Sequence, residues 1–449
     1  MQDWVFLPHH SHTKHGLPAE TLHNKGISKR STRNLLTAVH PLRIPEANLA
    51  FTHTFGLGGM ALTIILLLVF TGILLRFHYE PTPAGAYDSI LFMQGNIIFG
   101  QLIRNIHHWS GIFLIIISFF HLLRVFLTGA FLPPRHWNWV IGIGLFLGVI
   151  FINFTGYLLP WDQLAYWAVT VSTSMLEYVP LIGESLKTAL RGGPDVGAET
   201  LAIFYTFHTA VIPGLLTILL VWHFYKVRKN GGVILPRNAD KSELKLTDSF
   251  PNLVNREIAT ALALTAFILL FSLALDAPLQ EKANPAFSPN PAKSPWYFQG
   301  FQELLLHFHP TFAVFIIPVV LLIGFTFFPF LKFEKDGDHR DFTMMAFKPI
   351  ILWSALTGLV VTFALILLDE YVLHYQERDT VIPSWLSEGL FPLLFLAGLT
   401  YGFVLIIRKK FSKRKIDTVL ALFILFSSAY IVLMLVGTFL RGEGMKLIF

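Results

Sequence analysis

The sequence predicts an all-α, polytopic membrane protein, and three observations predict it. Of its 449 residues 54% are hydrophobic and only 14% are charged, with a mean hydropathy of +0.59; a soluble domain carries closer to a quarter charged. Windows of about 20 apolar residues, enough to cross hydrocarbon as a helix, recur near 55–77, 106–127, 140–159, 207–226, 257–276, 311–331, 347–369, 387–407 and 416–440. Alternate loops also differ in charge. With the N-terminus on the cytoplasmic (n) side, n-side segments hold 24 Lys and Arg and opposite (p) side segments hold 7, the asymmetry of the positive-inside rule.

In chain order, residues 1–45 are polar, basic and His-rich, and are expected to form an n-side surface segment. They lack the short apolar run of a cleavable secretion signal, so none is expected. Residues 46–230 contain four spans, expected to form a bundle. The n-side linker 231–256 is the main polar interruption and divides the chain in two. Residues 257–370 and two further spans in 371–449 follow. The p-side loops 158–205 and 277–310 are too long for simple turns and rich in Pro, Gly, Trp and Tyr, so short helices over a site are expected. The run "RKKFSKRK" (408–415) reads as a cytoplasmic stop between spans rather than a nucleic-acid patch. There is no cysteine, which excludes disulfides, Cys-ligated iron–sulfur clusters and thioether-attached haem in this chain.

The second span reads "RNIHHWSGIFLIIISFFHLLR" (104–124), and an imidazole in hydrocarbon is costly without a partner. His107 and His121 lie 14 residues apart, about 21 Å along one helix face. His208 and His223 in the fourth span are 15 apart, about 22 Å. Both spans run the same way, so His107 can meet His208 near the p-side and His121 can meet His223 near the n-side. Each pair suits a six-coordinate bis-imidazole haem iron, with no position open to substrate. The competing reading, unrelated histidines satisfied by interhelical hydrogen bonds, does not account for two matched pairs.

Gly58 and Gly72 in the first span, and Gly142 and Gly156 in the third, repeat the 14-residue period. Small residues there make room for two flat macrocycles; ordinary helix packing is the alternative. Arg104 and Arg124 flank the second-span ligands and are placed to neutralise haem propionates, or are plain interfacial arginines. His108 lies about 100° off the ligand face. His53, His78, His307 and His309 lie at span ends, where snorkelling or capping is the preferred reading.

These residues, with "FGLGGMALTIILLLVFTGILLRFHY", "FTGYLLPWDQLAYWAV", "FHTAVIPGLLTILLVWHFYKVRK" and "SPWYFQGFQELL", resemble cytochrome b of quinol-oxidising bc-type complexes. The likeness covers nearly all of residues 40–370 and is nearest to the chloroplast and cyanobacterial type fused to its subunit IV-like half. Two positions depart from that type. Gly56 stands where it attaches an extra haem through cysteine, so a covalent third haem is excluded. Its Pro-Glu-Trp-Tyr motif is Ser294-Pro295-Trp296-Tyr297 here, so the glutamate that takes a quinol proton in most relatives is absent.

The resemblance implies a redox enzyme subunit of a quinol:cytochrome c-type oxidoreductase in a bacterial inner membrane. Quinol would be oxidised on the p-side. One electron would cross two non-covalent b haems to an n-side quinone, coupled to proton translocation. It implies an iron–sulfur (Rieske-type) partner, a cytochrome c-type partner, a homodimeric complex in the bilayer, and a quinone, taken here as menaquinone. A mobile carboxylate near the p-side must then accept the proton. Glu303 is the first choice and Asp162 the second, with Asp162 as an ion pair or cap the alternative; Tyr297 and Tyr166 would line the pocket, or simply pack. Glu257 is placed to assist the n-side quinone. Arg228 and Lys226 would stabilise reduced quinone or propionate, or only anchor the n-side. The ninth span exceeds the mitochondrial set and the resemblance assigns it no role; a cytochrome c partner or another subunit is one candidate for what it packs against. A di-haem anchor for another oxidoreductase is the alternative function; a non-redox transporter would need inverted repeats with broken helices, which the sequence does not show.

Overall fold

The computed structural model describes residues 41–235, 244–333, 344–374 and 381–448, so all but the end of the expected 1–45 segment lies outside the described residues. From Pro41 onward the chain forms one compact unit. Among the described residues nine helices are long and apolar enough to cross a membrane: α1 Leu57–Arg76, α2 Gly100–Leu127, α3 His136–Tyr157, α4 Ala198–Lys229, α5 Ser249–Ala274, α6 Phe312–Phe330, α7 Lys348–Leu373, α8 Trp385–Lys410 and α9 Lys415–Leu440. This is the all-α polytopic architecture that the sequence predicts.

Helix α4 begins well before its apolar window. Hydropathy sees only the lipid-length stretch, whereas the helix starts where its free N–H groups find partners. Here Gly197 N–H donates to Thr200 Oγ1 (3.0 Å) and the polar turn "AETL" is helical. Helix α5 likewise begins at Ser249, whose hydroxyl donates to Pro41 O (2.5 Å). Just before it, the strand β2 (Leu246–Asp248) pairs antiparallel with β1 (Arg43–Pro45). The linker is therefore shorter than 231–256 and is fastened to the segment that leads into α1.

Three spans widen into a π-helical turn just ahead of a proline: Phe207–Val211 before Pro213, Phe312–Ile316 before Pro318, and Trp385–Leu390 before Pro392. Proline cannot donate to the carbonyl four residues back, and the wider turn absorbs the lost bond. His208 lies inside the first of these turns.

The long p-side loops carry short helices as expected, among them Gln163–Ser174, Gly183–Arg191 and Gln299–Leu305. They are sewn together. Gln163 Nε2 donates to Phe287 O (2.6 Å), Asn284 N to Gln163 Oε1 (2.7 Å), and Gln163 N to Glu281 O (2.9 Å). A core of Ile106, Phe154, Phe204 and Tyr297 lies beneath them. At the n-side a second core joins Phe126, Phe131 and Trp139 of the bundle region to Phe328 and Phe423 of the second half.

The ninth span packs into the chain itself. Half of its most apolar stretch is buried within the chain, against 11–33% for the other eight. Phe423 stacks on Phe126 with centroids 3.9 Å apart, at the n-side. Toward the p-side, Tyr430 donates its hydroxyl to Tyr297 O (2.7 Å) and packs beneath Gly300, where a Cβ would meet its ring at 2.7 Å.

Candidate functional site

Helices α2 and α4 bring the four histidines together in the expected pairs. The ring centroids of His107 and His208 are 6.1 Å apart, and those of His121 and His223 are 6.5 Å apart. A metal–imidazole bond is about 2 Å, and the ring centre lies ~1 Å further out, so two axial imidazoles on one metal hold their centroids about 6 Å apart. Both pairs fit that separation.

The four glycines each face one of these rings. A Cβ at Gly72 would meet His107 at 3.2 Å and one at Gly156 would meet His208 at 2.5 Å. At Gly58 it would meet His121 at 3.4 Å, and at Gly142 His223 at 3.9 Å. The shared period therefore records room for the imidazoles, with any macrocycle lying between them.

Tautomers are set by the neighbours. Thr71 donates its hydroxyl to Leu67 O (2.7 Å), so its oxygen accepts from His107 Nδ1–H (2.9 Å). His208 Nδ1–H donates to Ile152 O (2.9 Å). Each p-side ring is left with its Nε2 lone pair for a metal. His223 Nδ1 is buried with no partner among the described residues.

Arg124 and Arg104 differ. Arg124 Nε donates to His53 O (3.1 Å), while its Nη2 is buried with no partner among the described residues, an orphan donor suited to a propionate. Arg104 donates to Ala277 O (2.8 Å) and Pro278 O (2.6 Å). Asn105 donates to Ser272 O (2.9 Å) and Trp109 to Leu275 O (2.8 Å), carbonyls at the C-terminal end of α5, while Arg104 holds the segment just past it. That fastening role went unread in the sequence because its partners are backbone atoms 173 and 174 residues away.

Around the motif Ser294–Tyr297, Ser294 Oγ, Tyr297 Oη and Gln299 Oε1 are all buried without a partner among the described residues. Three orphaned polar atoms in six residues are costly unless a ligand satisfies them. Asp162 is fixed: one oxygen accepts from Ala165 N (2.8 Å) and the other from Gln280 N (2.9 Å), so it caps a helix and ties two loops. Burial raises its carboxyl above the ordinary value despite those bonds and the charge of Arg104. Tyr166 donates to Val196 O (3.2 Å) and belongs to the core.

Glu303 is neither surface-facing nor free to swing to water. It is 0% exposed and held by Arg441, which donates from Nη2 to Oε1 (2.6 Å) and from Nε to Oε2 (3.0 Å). Arg441 Nη1 donates to Glu370 (2.8 Å). His307, expected to cap or snorkel, instead sits in the same buried cluster with Nε2 3.2 Å from Glu303 Oε1 and Nδ1 2.6 Å from Asp369 Oδ2. Burial pushes the Glu303 carboxyl up, but the hydrogen bonds of His307 and Arg441 outweigh it and hold it below the usual range. For His307 burial pushes down, and the bonds to Asp369 and Glu303 leave it raised. The sequence offered one signal for this cluster, a His four residues after a Glu.

At the n-side, Glu257 is half-buried and Arg228 exposed. Gly56 sits at φ +64, with Thr260 3.2 Å from a Cβ placed there. A side-chain-bearing residue at 56 would be strained, which accords with the absent cysteine.

The family described as "Cytochrome b/b6/petB" matches residues 45–231. Cytochrome b6 of Synechococcus elongatus (strain ATCC 33912 / PCC 7942 / FACHB-805) is 42% identical over 175 residues, 39% of this chain and 81% of the relative. That of Porphyra purpurea is 44% identical over 177 residues, covering 39% and 81%. That of Heliomicrobium gestii is 40% identical over 194 residues, covering 43% and 89%. A solved structure titled "Hyperthermophilic respiratory Complex III" shares the fold, with a TM-score of 0.63 and 24% identity over 89% of this chain and 94% of that one. An integral membrane protein whose paired histidines fall within the matched bundle, this chain belongs to the cytochrome b/b6 family.

Proposed function

We propose that the chain is the cytochrome b subunit of a quinol:cytochrome c-type oxidoreductase of the bc class in a bacterial inner membrane, its N-terminus cytoplasmic. The observation that carries this reading is the two stacked histidine pairs, each at the separation of two axial imidazoles and each backed by glycines. Family membership implies non-covalent haem b. Two b haems bound there would supply one-electron carriers near either face of the membrane.

The residues of the chain do the rest. His107 and His208 are held with Nε2 as ligand atom by Thr71 and Ile152. Arg124 offers its orphan Nη2 to a propionate. At the p-side, Tyr297, Ser294 and Gln299 present the unpaired polar atoms that a quinol's two hydroxyls would use. Asp162 acts by fixing the loop above that pocket rather than by taking a proton. At the n-side, Glu257 and Arg228 are proposed to meet the second quinone, taken as menaquinone. An iron–sulfur partner, a cytochrome c-type partner and a second copy of the complex complete the reading.

A dithionite-reduced minus oxidised spectrum with a pyridine haemochrome count tests it. Two non-covalent b haems per chain, both reducible by quinol, are expected. One haem or none would undo the pairing. Two haems that quinol cannot reduce would leave a di-haem protein of another kind.

A further inference from the structure

We infer that His307 and Asp369 relay a proton from the quinol-oxidising end of the protein to the p-side surface, in the role of the glutamate that the Ser294–Tyr297 motif lacks. The inference rests on the quinol-oxidation reading above and names groups that reading leaves open.

The hydrogen-bonded series runs from the fully buried Glu303 through His307 to Asp369 near the C-terminal end of α7. The helix Gln299–Leu305 links the series to Tyr297, and Glu303 lies six residues on, about 9 Å along a helix. Glu303 itself is a poor proton acceptor, because a bidentate guanidinium favours its ionised form. His307 is different. It has carboxylates at both ring nitrogens and can hold a proton at either, the arrangement of a shuttle.

The surrounding charges leave room for one such proton. Glu303 on its own helix, Asp369 and Glu370 from α7, and Arg441 after α9 face the ring or its partners. Lys293, from the preceding loop, lies within electrostatic reach of Glu303. Three carboxylates then face Arg441 and Lys293, so the cluster is neutral when His307 is protonated and one charge negative when it is not. The residues Asp369–Leu373 and Val436–Leu440, beside Asp369 and Arg441, are π-helical turns, which occur often at functional sites.

Quinol oxidation releases two electrons and two protons. The electrons leave to the one-electron acceptors of the reading, a high-potential iron–sulfur partner and the haem iron at His107 and His208. One quinol O–H proton leaves with the electron that goes to the iron–sulfur partner. The second O–H bond breaks and its proton adds to Nε2 of a neutral His307 that carries its proton at Nδ1, beside Asp369. The Nδ1 proton passes to Asp369 and on to water, which leaves the ring neutral with its proton at Nε2, and return of that proton to Nδ1 resets the relay.

The test is the rate of haem b reduction by a menaquinol analogue in the assembled complex, from about pH 5 to 9. Asp369→Asn and His307→Gln are compared with wild type and with the conservative Asp369→Glu, haem content being measured for each. Removing the relay should slow reduction on the order of 100-fold and flatten its pH profile, with haem content intact and Asp369→Glu restoring most of the rate. A wild-type rate and profile in either haem-replete variant overturns the relay while leaving quinol oxidation standing. Loss of haem in both variants also overturns it, since the cluster is then only structural. Failure of the wild type itself to reduce its haems with quinol overturns the reading beneath.

Discussion

Gly156 and Gly142 face equivalent histidines, yet a methyl group would meet His208 at 2.5 Å and His223 at 3.9 Å. The first approach forces the ring to move; the second is ordinary contact. Gly156→Ala is therefore expected to shift the spectrum or lower the occupancy of the p-side haem, and Gly142→Ala to leave the n-side haem unchanged, both read from the haem α-band. Tyr297 gives a second expectation at this scale. Its hydroxyl is buried and unpaired, so Tyr297→Phe should not lower thermal stability, whereas the apparent KM for quinol should rise about tenfold if that hydroxyl binds the substrate. An unchanged KM would remove Tyr297 from the pocket.

At the scale of elements, α9 has the role that the sequence left unassigned. Tyr430, Gly437 and Arg441 meet the motif and its helix at Tyr297, Gln299 and Glu303. Replacing Arg441 with Met would strand a buried carboxylate, and breaking such a pair by removing one partner costs about 3–5 kcal/mol. A fall in the melting temperature that is largely recovered by adding Glu303→Gln would identify the clamp; additive losses would argue against it. The spans and the histidine pairs were legible in the sequence because both are periodic: apolar length marks a helix, and a repeated 14-residue step marks one face. The role of α9 was not legible, since periodicity says which face is apolar and nothing about whether lipid or protein covers it. Arg441 read only as one of seven p-side cations, and Arg104 as a propionate partner or a plain interfacial arginine, because a side chain's distant backbone or carboxylate partner leaves no mark in local sequence.

For the whole molecule, the buried cluster links stability to pH. His307 is raised above its ordinary 6.5, so its contribution is complete below about that value and fades as pH climbs through the raised one. Glu303 is depressed below 4.5, so its contribution is complete above that value and is lost only in stronger acid. The melting temperature should therefore fall as pH rises through the raised value of His307, and His307→Gln should flatten that fall. An identical slope in the variant would assign the pH dependence elsewhere.

The clamp on Glu303 also bears on how the protein is made. Arg441 follows Glu303 by 138 residues, so a ribosome delivers the histidine bundle first, the motif helix next and the guanidinium last. Until α9 has been inserted, the carboxylate at the p-side end has only Lys293 and His307 near it and lacks its bidentate guanidinium, so its pocket cannot take the described form. On the reading proposed above, the histidine bundle is thus complete before the site for quinol is.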